Sequence, residues 1–270
     1  MTVGDDKMEP MRYKALLLDI DGTVVGKDYA ISERVKEAIG KAKEKVLVSL
    51  CSQRQYVAFA HYVEELDLTA LQIASGGTQI VDPKTDKEIW AKRMDKQIAK
   101  ELYQGLAERG ETVFINDDKF VYQDGRVDEY DGYPVPIKPV KELADWWSIL
   151  VIGVDGISEA SWRWVESLEG VQGVRVFSDK SQGLKHGYAS ISARGVSKQR
   201  GIIEYCRLNK IKPEEVIAVG DDLNDYPMLM AAGLKVAMGN GVEELKAIAD
   251  FVCPPVGEDG VATVVEKFIL

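Results

Sequence analysis

Residues 14–23 read KALLLDIDGT, an apolar run that stops on two aspartates spaced by one residue and then a glycine. The consecutive apolar side chains from Ala15 to Leu18 suit a strand covered on both faces, the condition of a parallel sheet with helices on each side. The next sixty residues keep that rhythm. Ser32 stands where a helix N-cap belongs, and Val35, Ala38, Ile39 and Ala42 fall on one face behind it. VLVSLC (46–51) reads as a second strand, residues 55–66 as a second helix, and LQIAS (71–75) as a third strand broken by Gly76-Gly77. Alternation of this kind predicts a parallel sheet joined by helical crossovers.

The same pattern returns near the C-terminus. YASISA (188–193) is a strand, Lys198 to Leu208 a helix, VIAVG (216–220) a strand, and Asp225 to Ala232 a helix closed by Gly233 at its C′ position. LKVAM (234–238), a helix around Val242 to Ala249, DFVC (250–253) and a last helix complete it. Both ends therefore predict one α/β unit, a doubly wound parallel sheet of Rossmann type, formed by residues 1–92 and 184–270. Residues 93–183 depart from the pattern. A helix over 97–109 leads to a hairpin of ETVFI and KFVYQ about Asn116-Asp117-Asp118. After YPVPIKP (133–139) come a further helix, the strand SILVIGV (148–154), a helix from Ser158 to Leu168 and the strand VRVFS (174–178). This stretch predicts a separate α+β insertion whose two ends return to the parent sheet.

Composition narrows the class of partner. The chain has 270 residues and a net charge of −10, with no stretch that concentrates Lys and Arg free of acids, so a nucleic-acid backbone is not its expected partner. No apolar run is long enough to span a bilayer and no signal-peptide core opens the sequence, so no membrane partner and a cytoplasmic location are expected. Cys51, Cys206 and Cys253 are too far apart for a Cys-x-x-Cys metal or redox pair and read as small buried side chains. With only His61 and His186 present, a multi-histidine metal site or a Ser-His-Asp triad is improbable.

Carboxylates dominate the candidate chemistry. Asp19 and Asp21, two residues apart in extended chain, face one small volume just past the end of a strand, where ligands of a parallel sheet sit. Gly220-Asp221-Asp222-Leu223-Asn224-Asp225 likewise follows an apolar strand. If those two strands are neighbours, Asp19 and Asp221 converge on a point suited to a hard cation, which magnesium fits best. Ser52 at the end of the second strand and Lys198 at the start of a helix suit the oxygens of a phosphate.

Together these residues resemble the motifs of the haloacid dehalogenase (HAD) superfamily, and within it the Cof-type phosphatases with a C2 cap. Asp19-x-Asp21-Gly22-Thr23 matches the nucleophile loop, Ser52 in CSQR stands where the family has the hydroxyl of a T-G-R run, Lys198 matches the motif lysine and GDDLND the acidic metal motif. MGNGVEELKAIAD and EDGVA are similar to the family's C-terminal pattern. Spacing agrees with the C2 type. Thr23 and Ser52 enclose 28 residues, room for one crossover, whereas Ser52 and Lys198 enclose 145, where the cap must lie. Two positions depart from the family pattern: Gln53 replaces the glycine after the hydroxyl residue, and Gly76-Gly77 stands where many members carry Asn-Gly.

The resemblance implies magnesium-dependent hydrolysis of small phosphomonoesters, sugar phosphates first among them, through an aspartyl-phosphate on Asp19. Asp21 would serve as acid and then base. The metal would be held by Asp19, the backbone carbonyl of Asp21 and Asp221, with Asp225 orienting a metal-bound water. The phosphate would sit among Gly22, Thr23, Ser52, Lys198 and Asn224. A phosphomutase or phosphotransferase would use the same residues, and a non-catalytic sensor of a phosphorylated ligand is the alternative from another class. In the insertion, Trp146, Trp147, Trp162 and Trp164 read first as core and second as a sugar-stacking wall, while Arg163, Lys180, Lys185 and His186 read first as solvated charge.

Overall fold

The computed structural model describes residues 13–124, 135–169, 174–179 and 188–270. Its strands are β1 (Ala15–Leu18), β2 (Leu47–Leu50), β3 (Gln72–Ala74), β4 (Gln79–Asp82), β5 (Lys87–Ala91), β6 (Val113–Asn116), β7 (Val121–Gln123), β8 (Ile137–Lys138), β9 (Val151–Val154), β10 (Val174–Asp179), β11 (Tyr188–Ala193), β12 (Val216–Gly220), β13 (Leu234–Ala237) and β14 (Phe251–Val252). The helices are α1 (Glu33–Ala42), α2 (Ala60–Glu65), α3 (Lys96–Glu108), α4 (Glu159–Leu168), α5 (Lys198–Asn209), α6 (Tyr226–Ala231), α7 (Glu243–Lys246) and α8 (Gly260–Phe268).

The expected parallel sheet forms, with order β14-β13-β12-β1-β2. Every residue of β1 and β12 is buried, which explains their unbroken apolar sequences: the helices cover both faces and leave no position for a polar side chain. Strands β1 and β12 are neighbours in parallel register, Leu18 opposite Val219, so the two aspartate loops leave the sheet side by side. Helix α1 starts at Ser32, whose hydroxyl accepts the Val35 N–H and donates to Asp259 before α8 at 2.5 Å; Val35, Ala38, Ile39 and Ala42 are its buried face. All three cysteines are free and buried. Among the described residues, no helix is long and apolar enough to cross a membrane.

The insertion builds a six-stranded sheet, β10-β11-β9-β6-β7-β8, with its own apolar core against α3 and α4. The expected hairpin is present as β6 and β7, its turn held by Asp117, whose carboxylate accepts the N–H groups of Lys119 and Phe120 and the Tyr122 hydroxyl. Trp146, Trp162 and Trp164 pack against this core; Trp147 is exposed. Arg163 is solvated and pairs with Glu159 at 3.0 Å, whereas Lys180, Lys185 and His186 lie outside the described residues.

Several elements differ from those the sequence predicts. YASISA belongs to the inserted sheet, between β9 and β10, and not to the parallel one; its alternation announces a strand but carries no information about which sheet receives it. LQIAS touches the parallel sheet through a single bridge, Cys51 to Ile73, and then pairs antiparallel with β4, which pairs with β5 in a three-stranded flap. Residues 55–66 form two short pieces, a 3₁₀ turn over Tyr56–Ala58 and α2, separated at Phe59 (φ −133°, ψ 5°). The break seats Tyr56, Phe59 and Tyr62 in the core together, with the first two rings edge to face at 5.5 Å. The helices expected after YPVPIKP and over residues 242–249 shrink to one turn each, at Val140–Glu142 and at α7.

Gly233 follows the C-cap residue Ala232 and so stands at the expected C′ position of α6. It has no left-handed backbone; instead its N–H bonds the carbonyls of Pro213 and Val216, and a Cβ there would stand 2.0 Å from the Glu214 carbonyl oxygen. Gly233→Ala is therefore expected to destabilise the fold by about 1–3 kcal/mol through overpacking. A denaturant midpoint equal to that of wild type would refute this.

Candidate active site

The loops at the carboxyl ends of β1, β2 and β12 meet the first turn of α5. Asp19, directly after β1, is buried, and Lys198 at the head of α5 is 1% exposed. Lys198 Nζ donates to Asp19 Oδ1 and to Asp225 Oδ1, the latter at 2.5 Å. Asp225 is fully buried, and its second oxygen accepts the N–H groups of Asp221 (3.0 Å) and Asp222 (3.3 Å), which turns the loop after β12 back on itself. Carboxylate oxygens of Asp19, Asp221 and Asp225 all lie within 4.8 Å of one another.

Gly22 makes this approach possible. Its φ is +77°, a left-handed value that glycine adopts without steric penalty, and a Cβ would stand 2.1 Å from Asp221 Oδ2. The loop is also tied from outside. Asn240 donates to the Gly22 carbonyl at 2.8 Å and accepts the Val256 N–H at 2.8 Å. Asn240 lies within MGNGVEELKAIAD, whose likeness to the family pattern is the one sequence signal that points to it.

The remaining expected residues take different places. The Thr23 hydroxyl donates to Asp221 Oδ1 at 3.3 Å. Ser52 is buried and its oxygen accepts the Arg54 N–H at 3.1 Å, leaving its own O–H as a donor. Asn224 has its Oδ1 buried with no hydrogen-bond partner among the described residues. Asp21 does not join the cluster of three; its half-exposed carboxylate is gripped by Arg54 through Nε at 2.9 Å and Nη2 at 2.5 Å. Sequence alone does not single out Arg54, because nothing local links residues 33 positions apart; its place in the CSQR run is the only signal.

The electrostatics show what would complete the site. Ionising all three carboxyl groups against one ammonium would leave two uncompensated negative charges in a buried volume. Burial, then repulsion from Asp225, pushes Asp19 up to about 8 despite Lys198. Burial, then repulsion from Asp19 and Asp225, pushes Asp221 up to about 9. Burial alone would lower Lys198, but Asp19 and Asp225 outweigh it and raise the ammonium, so it stays charged. An all-oxygen donor set with this excess charge fits a hard divalent cation of the magnesium type. Both oxygens of Asp225 accept hydrogen bonds, one from Lys198 and the other from the Asp221 and Asp222 N–H groups, so Asp225 ties the lysine to the loop.

The chain matches the haloacid dehalogenase-like hydrolase family model over residues 16–265. It is 28% identical over 268 residues to a phosphoglycolate phosphatase of Methanobrevibacter smithii, covering 96% of this chain and 100% of that protein. It is 24% identical over 267 residues to the 5-amino-6-(5-phospho-D-ribitylamino)uracil phosphatase YitU of Bacillus subtilis, covering 94% and 96%. A haloacid dehalogenase-like hydrolase from Bacteroides thetaiotaomicron shares the fold with a TM-score of 0.80 at 22% identity, over 95% of this chain and 99% of that one.

The raised carboxylates have a signed consequence. Folding favours their protonated forms, so without a divalent cation the stability they confer is greatest below the ordinary carboxylate range and is lost as pH rises toward 8–9. A cation must displace those protons, so the gain in Tm from magnesium is expected to grow between about pH 6 and pH 8, with affinity rising up to about tenfold per pH unit for each proton released. Calorimetry at both pH values checks this, and a gain independent of pH would contradict it. Asp225→Ala, which removes one of the two carboxylates that hold the buried ammonium and the acceptor of the Asp221 and Asp222 N–H groups, is expected to cost about 3–5 kcal/mol in a denaturant titration.

A parallel sheet whose strand ends carry Asp19, Asp221, Asp225 and Lys198, an inserted cap placed late in the chain, and a family match over nearly the whole sequence lead to one assignment: the chain belongs to the haloacid dehalogenase-like hydrolases, of the Cof type with a C2 cap.

Proposed function

We propose that the protein is a magnesium-dependent phosphomonoester hydrolase of small phosphorylated metabolites, sugar phosphates foremost, working through an aspartyl-phosphate on Asp19. The observation that carries the reading is the buried Lys198 ammonium between Asp19 and Asp225, with Asp221 at the same point. A cation held by Asp19 and Asp221 would offset the negative charge of the phosphate and keep Asp19 ionised.

Asp19 attacks phosphorus in line as the bond to the leaving oxygen breaks, and Asp21 supplies the proton that oxygen needs. Asp21 then takes a proton from water, the water oxygen attacks phosphorus, and the Asp19 carboxylate is restored. Two displacements replace one harder one. Lys198 and the Ser52 hydroxyl provide positive charge and a donor to the non-bridging oxygens, with Asn224 beside them. Asp225 acts through Lys198, which it holds against Asp19. In this reading the inserted unit serves as the cap and runs past the expected boundary at residue 183 to include β11, and the relatives' names support a phosphatase while differing in substrate, a carboxylated phosphate in one and a phosphorylated polyol chain in another.

Asp19→Asn is expected to abolish phosphate release, with a loss of about 10³-fold or more, because the nucleophile is gone. Asp21→Asn is expected to lose about 10²–10⁴-fold in kcat/KM on alkyl phosphates and less in kcat/KM on p-nitrophenyl phosphate, whose leaving oxygen needs no proton, while kcat falls for both because the second displacement lacks its base. Magnesium-dependent phosphate release that survives Asp19→Asn would refute the assignment.

A further inference from the structure

Beside Lys198 lies a cleft lined by groups from both sheets. Gln53, Ser75 and Asn224 come from the loops of the parallel sheet and its flap, and Ser190 and Ser192 come from β11 of the inserted sheet. Ser190 and Ser192 are two apart in a strand, so both hydroxyls face the same side. Two buried polar atoms at this cleft, Ser75 Oγ and Asn224 Oδ1, have no hydrogen-bond partner among the described residues. Ser75 is 2% exposed, and burying an unpartnered hydroxyl is unfavourable unless a ligand or water completes it.

The two sequence departures meet in this cleft. Gly76 has φ +65°, and a Cβ built on it would stand 2.3 Å from Gln53 Oε1. The Gln53 side chain therefore occupies the space that any side chain at position 76 would need. Gln53 thus presents its carboxamide in the space beside Gly76. Among the described residues no carboxylate lines the cleft, and its one cation, Lys198, is already committed to Asp19 and Asp225.

We infer that Gln53, together with Ser75, Ser190 and Ser192, forms the subsite for the leaving group, and that this subsite selects a neutral, hydroxyl-bearing alcohol over an anionic one. The inference rests on the hydrolase reading and adds to it the residues that choose the substrate. Hydroxyls and amides pair well with the hydroxyl groups of a sugar or polyol, whereas a carboxylate there would find no uncommitted cationic side chain among the described lining residues. A site built to bond hydroxyl groups discriminates strongly, because an unsuitable ligand leaves its buried polar atoms unpaired.

The test compares a hexose phosphate, a pentitol phosphate, phosphoglycolate and p-nitrophenyl phosphate. Wild type is expected to show kcat/KM for the best hydroxylated substrate about tenfold or more above phosphoglycolate. In Gln53→Gly, kcat/KM for that substrate is expected to fall about tenfold relative to p-nitrophenyl phosphate, chiefly through KM. Gln53→Gly/Gly76→Asn, which returns a carboxamide from the opposite wall at a backbone geometry asparagine tolerates, is expected to recover most of that preference. A preference for phosphoglycolate, a Gln53→Gly ratio within about twofold of wild type, or a double variant no better than Gln53→Gly would each overturn the proposal. Folded wild type that hydrolyses none of the four with magnesium present would instead overturn the hydrolase reading, and this subsite with it.

Discussion

The buried ammonium of Lys198 sets the terms for the rest of the structure. A charge at that depth is tolerated only with close opposite charges and hydrogen bonds, and Asp19 and Asp225 supply both. To bring them together, the head of α5 must press against the ends of β1 and β12. Gly77 shows how closely the chain is drawn in: its φ is +91°, and a Cβ would stand 2.2 Å from the Ser197 carbonyl oxygen at the helix N-cap. Gly201, one turn into α5, lies close against Ile73 of β3, where a Cβ would stand 2.8 Å from its side chain. The backbone gives way so that the lysine can reach the carboxylates.

That arrangement crowds three carboxyl groups around one ammonium, which gives the site its chemistry. Asp19 must be ionised to act as a nucleophile, yet burial and two neighbouring carboxylates oppose its ionisation. Lys198 alone does not reverse this. The site is thus preorganised to bind positive charge with the substrate, and the cation and the nucleophile become parts of one balance. Asp21 is held outside the crowded cluster by Arg54, which grips its carboxylate through two nitrogens.

Local pattern is what the sequence makes legible. Apolar runs ending on DID and GDDLND place both aspartate loops at strand ends, and the parallel register of Leu18 with Val219 makes them neighbours. Lys198 stands out because a helix begins at it. Contacts between distant segments are not legible: the Arg54 grip on Asp21, the Asn240 tie to Gly22, and the exchange of space between Gln53 and Gly76 depend on the folded path of the chain. Nor does period-two alternation say which of two sheets a strand joins, and so YASISA reads as part of the parallel sheet when it belongs to the other. The break at Phe59 is equally invisible in local pattern, because Tyr56, Phe59 and Tyr62 stand three apart, as they would on one face of a regular helix.

The central claim is that Asp19 becomes phosphorylated. Asp21→Asn mixed with p-nitrophenyl phosphate and magnesium, then quenched in acid, tests it most directly, because the first displacement needs no acid with that leaving group while the second lacks its base. Peptide mapping by mass spectrometry should find one phosphoryl group on the β1 loop peptide, at Asp19, with formation dependent on magnesium. Release of p-nitrophenol with no phosphoryl group on that peptide, or with the group on another residue, would contradict the account.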